Sequence, residues 1–410
     1  MGFQQGVSGL NAASRNLDVI GNNIANANTV GAKLSRAEFA DVYASASSNL
    51  GSNAVGIGVR VDAVTQQFTQ GNLRTTENPL DMAINGRGFF RMSNNGDVTF
   101  TRAGQFQLDQ TGFVVNSQGA RLTGFGVDAT GQIATGVPTD IQLPTGGVAP
   151  QVTSTADLTL NLDAASTVPL SAFAITDASS YTGATSLAVF DGQGNEQAVS
   201  LYFRRTATDN EWEVFAAFNG QTLPLAGAPA PVGNVTFSPQ GTLVSPAAPA
   251  GLTLNLPFSA ASGGPSNVAL NFPGTTQFGS PFGVTQVAQN GFAAGRLSGF
   301  SITPDGAIQA RFSNGQTQVR GQVALADFRN PQGLVPIGNN QWAQTLASGQ
   351  PSVSAPGSGN LGVVQGGALE ESNVELTQQL VDMITAQRSY QANAQTIQAQ
   401  DQIMQTLVNL

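Results

Sequence analysis

The 410-residue chain contains no cysteine and no histidine. Their absence removes thiolate nucleophiles, disulfides, Cys/His zinc sites, Ser-His-Asp triads and imidazole acid–base chemistry together. Lys33 is the only lysine, and the net charge is −9, with Lys+Arg 16 against Asp+Glu 25. No basic patch can be drawn, which argues against nucleic acid, whose binding needs clustered cations to displace counterions from phosphates. Charged residues make up 10 % of the chain, far below the roughly 25 % of an average soluble protein. No stretch approaches the roughly 18 apolar residues of a membrane span, so no membrane insertion is expected. A secretory signal is missing too: the first basic residue is Arg15, and residues 1–30 hold no continuous apolar core. A thiol-free chain suits the cell exterior, where a free thiol is oxidised, but export would need another route.

What the chain does hold is 48 glycines and 20 prolines, a composition for abundant turns. Its length exceeds the roughly 250–300 residues at which single cores stop growing, so several domains are expected.

Both ends read as helices. Phe3, Val7, Leu10, Leu17 and Ile24 recur at three- and four-residue steps, with Ser14 and Gly21 at the two remaining positions of a heptad seam. Leu376, Leu380, Met383, Tyr390, Ala394, Ile397, Met404 and Val408 keep the same rhythm, interrupted by Gln387 and Asp401. The segment "ELTQQLVDMITAQRSYQANAQTIQAQDQIMQTLVNL" has neither glycine nor proline, and Asn373 stands where a cap belongs. The other faces of both helices carry Asn, Gln, Ser and Thr in place of the charges that normally solvate a surface helix. Helices of this kind are marginal alone, and amide faces hydrogen-bond other protein surfaces without the cost of burying charge. The run "LDVIGNNIANANTVG", with four asparagines in fifteen positions, is read in that light.

Between the ends the signals are β. "YASASSNLGSNAVGIGVRV" reads as an extended connector with one strand. "RMSNNGDVTFTRAGQFQLDQTGFVVNSQGARLTGF" is a run of hairpins about Asn-Gly, Gln-Thr-Gly and Ser-Gln-Gly turns, and "GFSITPDGAIQARFSNGQTQVRGQVALADF" repeats that texture. From 146 to 285 the composition shifts toward Ala, Pro, Thr and Ser, with a hairpin about "DGQGN" and a strand "EWEVFAAF" placing Trp212, Val214, Ala216 and Phe218 on one face. The expected fold is mixed and mainly β: a helical coiled-coil foot from 1–30 and 366–410, a connector over 31–70, a first β domain over 71–145 and 286–365, and an inserted outer β domain over 146–285.

No catalytic, cofactor or metal site assembles from this pattern. Glu370–Glu371 reads as a helix start complementing its dipole. Asp191 and Glu196 lack the spacing of a calcium loop. "INGRGFF" lacks the strand–GxGxxG–helix order of a dinucleotide site. Arg204–Arg205 reads as a solvated turn. A glycosidase reading fails for want of paired carboxylates, and a secreted β-rich adhesin explains the middle of the chain but not heptads at both ends.

The segments "SGLNAASRNLDVIGNNIANANTVGAK", "QGNLRTTENPLDMAINGRGFF" and "ALEESNVELTQQLVDMITAQRSYQANAQTIQAQDQIMQTLVNL" closely resemble, in order, the signatures of bacterial flagellar rod and hook proteins. Length and the large middle insert resemble the hook branch more than a distal rod protein. One departure is Ala32, where relatives commonly place Phe. The resemblance implies a self-assembling tubular homopolymer, the curved joint passing torque from rod to filament. The two terminal helices would surround an export channel. It further implies contacts with rod, hook–filament junction and hook cap proteins, and export by a flagellar type III apparatus to the extracellular hook without a cleaved signal. On the same ground, Asn22, Asn23, Asn26, Asn28, Gly31 and Lys33 mark where the first helix gives way to the connector. The helix residues Phe3 to Ile24 and Leu376 to Val408 named above are the self-assembly positions. A glycine-rich connector through Gly51, Gly56 and Gly58 would supply flexibility.

Overall fold

The computed structural model describes residues 2–42, 56–94, 96–128, 131–134, 136–225, 227–247 and 251–408, with backbone only for Gly2, Leu407 and Val408. Gly51 lies outside the described residues. The fold is mainly β with one helix at each end, α1 (Gly2–Ala25) and α2 (Leu376–Val408). The chain divides into two compact units, one of Met1–Thr145, Gly299–Arg311 and Thr317–Leu410, the other of Gly146–Ser298 and Phe312–Gln316.

In the first unit, α1 is followed by β1 (Leu34–Val42) and β2 (Gly58–Gln67), which pair antiparallel from Leu34↔Gln67 to Val42↔Gly58 with a bulge after Glu38. Among its described residues, the expected connector is therefore mostly a two-stranded ribbon. Its first strand, "LSRAEFADV", was hidden because it mixes charged and small residues without clean alternation. β3 (Leu73–Thr75) pairs with Ala368–Glu370, and β4 (Met82–Asn85) pairs with Val363–Gly366. Residues just before α2 thus close a sheet begun some 300 positions earlier.

A larger sheet holds Phe89–Asn94, Asp97–Thr101, Arg121–Phe125 and Gln341–Ala343. One face packs Met82, Ile84, Phe90, Met92, Leu122, Ile308, Val323 and Leu325. The other gathers Phe89, Phe100, Phe328 and Trp342 in edge-on ring contacts, with Phe100 and Phe328 centroids 4.7 Å apart.

The second unit is two facing sheets. Thr155–Asp163 is flanked by parallel Ser266–Asn271 and Thr276–Phe278 and antiparallel Gly283–Gln289. The other sheet is an antiparallel meander through Gly183–Phe190, Glu196–Arg205, Glu211–Phe218, Gly233–Phe237 and Leu243–Ser245. Alternate residues of both sheets, Leu158 and Leu160 against Leu201, Val214 and Val235, form one core. Because Gly283–Gln289 pairs with Thr155–Asp163, the unit runs past the expected limit at 285. The change in composition does not coincide with the last strand pairing.

Trp212, Val214 and Ala216 do share the buried face. Phe215 on the opposite face is buried as well, stacked on Phe173 at 4.1 Å between centroids. Arg204 and Arg205 are not a solvated turn. Arg204 pairs with Glu213 at 3.1 Å and donates to the carbonyls of Pro169 and Ser171, while Arg205 donates to those of Ala164 and Ser166. The two guanidiniums pin the segment 164–171 over the sheet.

Leu201 is fully buried in this core. Leu201→Ala should cost about 2–5 kcal/mol, read as a lower urea midpoint when unfolding is followed by the fluorescence of Trp212; an unchanged midpoint would mean that the sheets do not face each other through this residue.

Candidate functional site

The two helices lie against each other, and small residues set how closely. A Cβ on Gly6 would stand 2.9 Å from Ile397, and one on Gly9 would stand 2.6 Å from Asn393. Ala13, Ile20 and Asn23 continue this face on α1, and Gln379, Ala386, Asn393 and Ile397 answer on α2. This face is rotated about one residue from the apolar stripe read in the sequence. Phe3 on that stripe is exposed, while Val7, Leu10, Leu17 and Ile24 are half-buried. On α2, Leu376, Leu380, Tyr390 and Met404 are exposed, and Met383 and Ile397 are half-buried. Ile384, outside the expected stripe, is exposed too. Val408 falls in α2, but its side chain is outside the described residues. Sequence reading missed the packed face because Gly6 and Gly9 look like gaps in a helix when only apolar bulk is counted.

The ribbon docks on α1 through polar contacts. Ser8 Oγ accepts from the Val59 amide, and Gln5 donates to the Gly56 carbonyl at 2.6 Å. Gly58 has φ +136°, and a Cβ there would come within 2.1 Å of Ser8 Oγ. A bulkier residue at 58 would therefore break a contact as well as stiffen the chain.

The asparagines have separate duties. Asn23 is buried; its Oδ1 accepts from the Ser35 amide at 2.9 Å, and its Nδ2 donates to the Ser35 carbonyl at 2.8 Å and to Gln379 at 3.0 Å. One side chain thereby ties α1, β1 and α2 together. Asn26 donates back to Asn22, and Thr29 donates to Asn26, winding the helix into a series of turns. Asn28 is exposed. Gly31 has φ +72° and lies so close to Arg102–Ala103 that a Cβ would stand 2.5 Å from the Ala103 nitrogen; only glycine fits both demands. Ala32 is buried and lines a cavity of about 210 Å³ with Asn22, Asn26, Gln66 and Trp342.

Lys33 is the centre of the region. Its side chain is completely buried, with Nζ 2.6 Å from Glu370 Oε1 and 2.8 Å from the Thr69 carbonyl. Arg102 Nη1 meets the other carboxylate oxygen at 3.0 Å and Nη2 donates to the Gly86 carbonyl. The Gly71 amide donates to Glu370 Oε1. Glu370 therefore does not sit at a helix start. It belongs to the strand Ala368–Glu370, and α2 begins at Leu376. Burial is the largest influence on Lys33 and holds its ammonium below the ordinary lysine value, against the upward pull of Glu370. Nor does Asn373 cap α2: its Oδ1 accepts from the Leu34 amide at 2.7 Å, and its Nδ2 donates to Gln67 and Thr69. Both residues before α2 are spent on the ribbon and the connector. A lone lysine between glycine-flanked small residues was the only sequence signal for this cluster, and nothing local pointed to Arg102.

Among the described residues no cluster of His, Cys, Asp or Glu has the makings of a metal site, and no helix is long and apolar enough to cross a membrane. Asp191 spends its carboxylate on the Gln193 and Asn195 amides of its own turn.

Removing Glu370 strands two buried cations, whereas removing Lys33 leaves a balanced Arg102–Glu370 pair. Glu370→Gln should lower stability by about 3–5 kcal/mol, and Lys33→Met by less. Without the carboxylate, the folded-state value of Lys33 falls further, so the penalty is fully present below that value. It shrinks as pH climbs toward the ordinary lysine value of about 10.4. Thermal melts across pH check this; equal losses in the two variants would contradict the charge count.

Family profiles match along the chain: a flagellar basal body rod protein profile at residues 3–33, the D1 domain of flagellar hook protein FlgE/F/G at 83–161, the FlaE D2 domain of flagellar basal body proteins at 161–292, and the FlgEFG C-terminal profile at 365–410. The chain is 42 % identical to the flagellar hook protein FlgE of Escherichia coli over 100 % of both chains. It is 31 % identical to that of Brucella suis over 100 % of this chain and 98 % of the relative, and 30 % identical to that of Borreliella burgdorferi over 99 % and 98 %. A Helicobacter pylori flagellar hook protein FlgE2 shares the fold at a TM-score of 0.53, with 14 % identity, over 71 % of this chain and 99 % of that one. With whole-length identity above 40 % and both termini matched, the chain belongs to the flagellar hook protein family.

Proposed function

We propose that this chain is the structural subunit of a bacterial flagellar hook, self-assembling into the curved tube that passes torque from rod to filament. The observation that carries the reading is the apolar face its terminal helices leave uncovered. Leu376, Leu380 and Ile384 are 42 %, 50 % and 51 % exposed at helical i, i+4 spacing, while the helix pair closes through glycine and alanine instead. A soluble monomer gains nothing from such a face; a polymer buries it against neighbours. The helix pair would be the coiled-coil foot, packed around an export channel. The helix residues Phe3, Val7, Leu10, Leu17, Ile24, Leu376, Leu380, Met383, Tyr390, Ile397, Met404 and Val408 are the assembly positions in this reading. The family also supplies the remaining partners: rod and junction proteins at the two ends, a cap during growth, and a type III apparatus that exports the chain without a cleaved signal. The role is structural and requires no catalysis or cofactor. A distal rod role is the second reading, but the FlaE D2 match over 161–292 favours the hook.

Electron microscopy of basal bodies from a strain with this gene deleted in frame tests the reading. Complete rods ending without a hook are expected, and a full-length copy should restore hooks. A copy lacking 376–410, which keeps Glu370, should not. Rods that stop short would place the chain in the rod, and normal flagella would overturn the reading.

A further inference from the structure

Lys33 is the chain's only lysine, and its amine meets more than the carboxylate of Glu370. The Thr69 carbonyl accepts from Lys33 Nζ at 2.8 Å and also from Asn373 Nδ2 at 3.3 Å, so an amine and an amide converge on one oxygen. Among the described residues, no other side-chain amide shares an acceptor with Nζ. The rest of the Asn373 amide is held as well. Its Oδ1 accepts from the Leu34 amide at 2.7 Å, and its Nδ2 donates to the Gln67 carbonyl at 2.8 Å and to Thr69 Oγ1 at 2.7 Å. The lysine side chain is fully buried, whereas Asn373 is half-buried and Thr69 beside it is exposed.

We infer that Lys33 and Asn373 join in an isopeptide bond, formed by the folded chain on itself. The surrounding groups match what the reaction needs. Glu370 Oε1, 2.6 Å from Nζ, is within reach to take a proton from the ammonium. Burial, which holds Lys33 below the ordinary lysine value, favours the neutral amine that acts as nucleophile. The amine attacks Cγ of Asn373, and the negative charge that develops on Oδ1 is met by the Leu34 amide. The bond formed is Nζ–Cγ and the bond broken is Cγ–Nδ2. The second proton lost from Nζ passes to Nδ2, which departs as ammonia and carries off the proton held by Glu370 to become ammonium. No oxidant or other reagent enters. Glu370 is not itself the acylated group: its other oxygen is engaged by Arg102 at 3.0 Å, and a carboxylate paired with a guanidinium does not accept an amine. The bond ties the segment after α1 to the residue three positions before α2, closing most of the chain into one loop. A chain without cysteine has no disulfide for that purpose, and closing so long a loop removes freedom from the unfolded state. The reaction follows folding, because only the folded chain brings positions 33 and 373 together; a freshly folded chain holds the ion pair alone.

The purified full-length chain, kept folded at neutral pH, is followed by intact-mass spectrometry over time. The mass is expected to fall by that of one ammonia. Tryptic digestion should then yield a product joining residues 16–36, uncut at the acylated Lys33, to residues 330–388. Lys33→Met, which has no side-chain amine, should keep its full mass. An aged wild-type chain that keeps its initial mass would overturn the inference, whether or not the variant folds. So would an ammonia loss without the joined peptides, as from a cyclised Asn-Gly pair. Neither result bears on hook assembly, which the deletion strain reads separately.

Discussion

A single buried carboxylate, Glu370, holds the terminal half of this protein together. It accepts from Lys33 and Arg102 at 2.6 and 3.0 Å, with all three side chains almost wholly out of water. Burying ions costs several kcal/mol each and is tolerated only where geometry and further hydrogen bonds compensate. Here the Gly71 amide and the Thr69 and Gly86 carbonyls supply them. The cluster joins the end of the N-terminal signature, a strand of the β body and the strand that leads into α2. Gly31 must approach Arg102–Ala103 closely for Lys33 to reach its place, so a backbone constraint and an electrostatic one act at the same corner. In a chain with 10 % charged residues, this concentration of charge fixes where both helices leave the β body.

With the root of the helices fixed, their length is free to be used twice. The inner face, Gly6, Gly9 and Ala13 against Ala386, Asn393 and Ile397, brings the two backbones close at little cost in apolar surface. The larger side chains are thereby left outward. Asn23 contributes to the same economy, satisfying both backbone groups of Ser35 and one amide of α2 with a single side chain. The result is a helix pair specified by small residues and amides, with larger side chains such as Leu376, Leu380 and Ile384 left exposed.

Much of this was legible in the sequence. Both helices, the hairpin-rich middle and the family signatures follow from local periodicity and turn residues, because those depend on neighbours a few positions apart. What was not legible depends on distance. Glu370 and Lys33 are 337 positions apart, and beside Glu371 the carboxylate looked like ordinary helix-start charge. Asn373 has the identity of an N-cap and serves a strand instead. Arg204 and Arg205 looked solvated because their acceptors are carbonyls some 35 to 40 residues away. The packed face of α1 went unseen because glycine contributes through what it leaves out.

The central claim is that one chain orders its own helix pair through small residues and leaves the apolar face for its neighbours. A cryo-electron microscopy map of the polymer formed by this chain tests it most directly. The account predicts the intrachain contact of Gly6 and Gly9 with Asn393 and Ile397 preserved, and Leu376, Leu380 and Ile384 buried by adjacent copies. A map in which those three side chains stand in solvent, or in which α1 pairs only with another copy's α2, would contradict it.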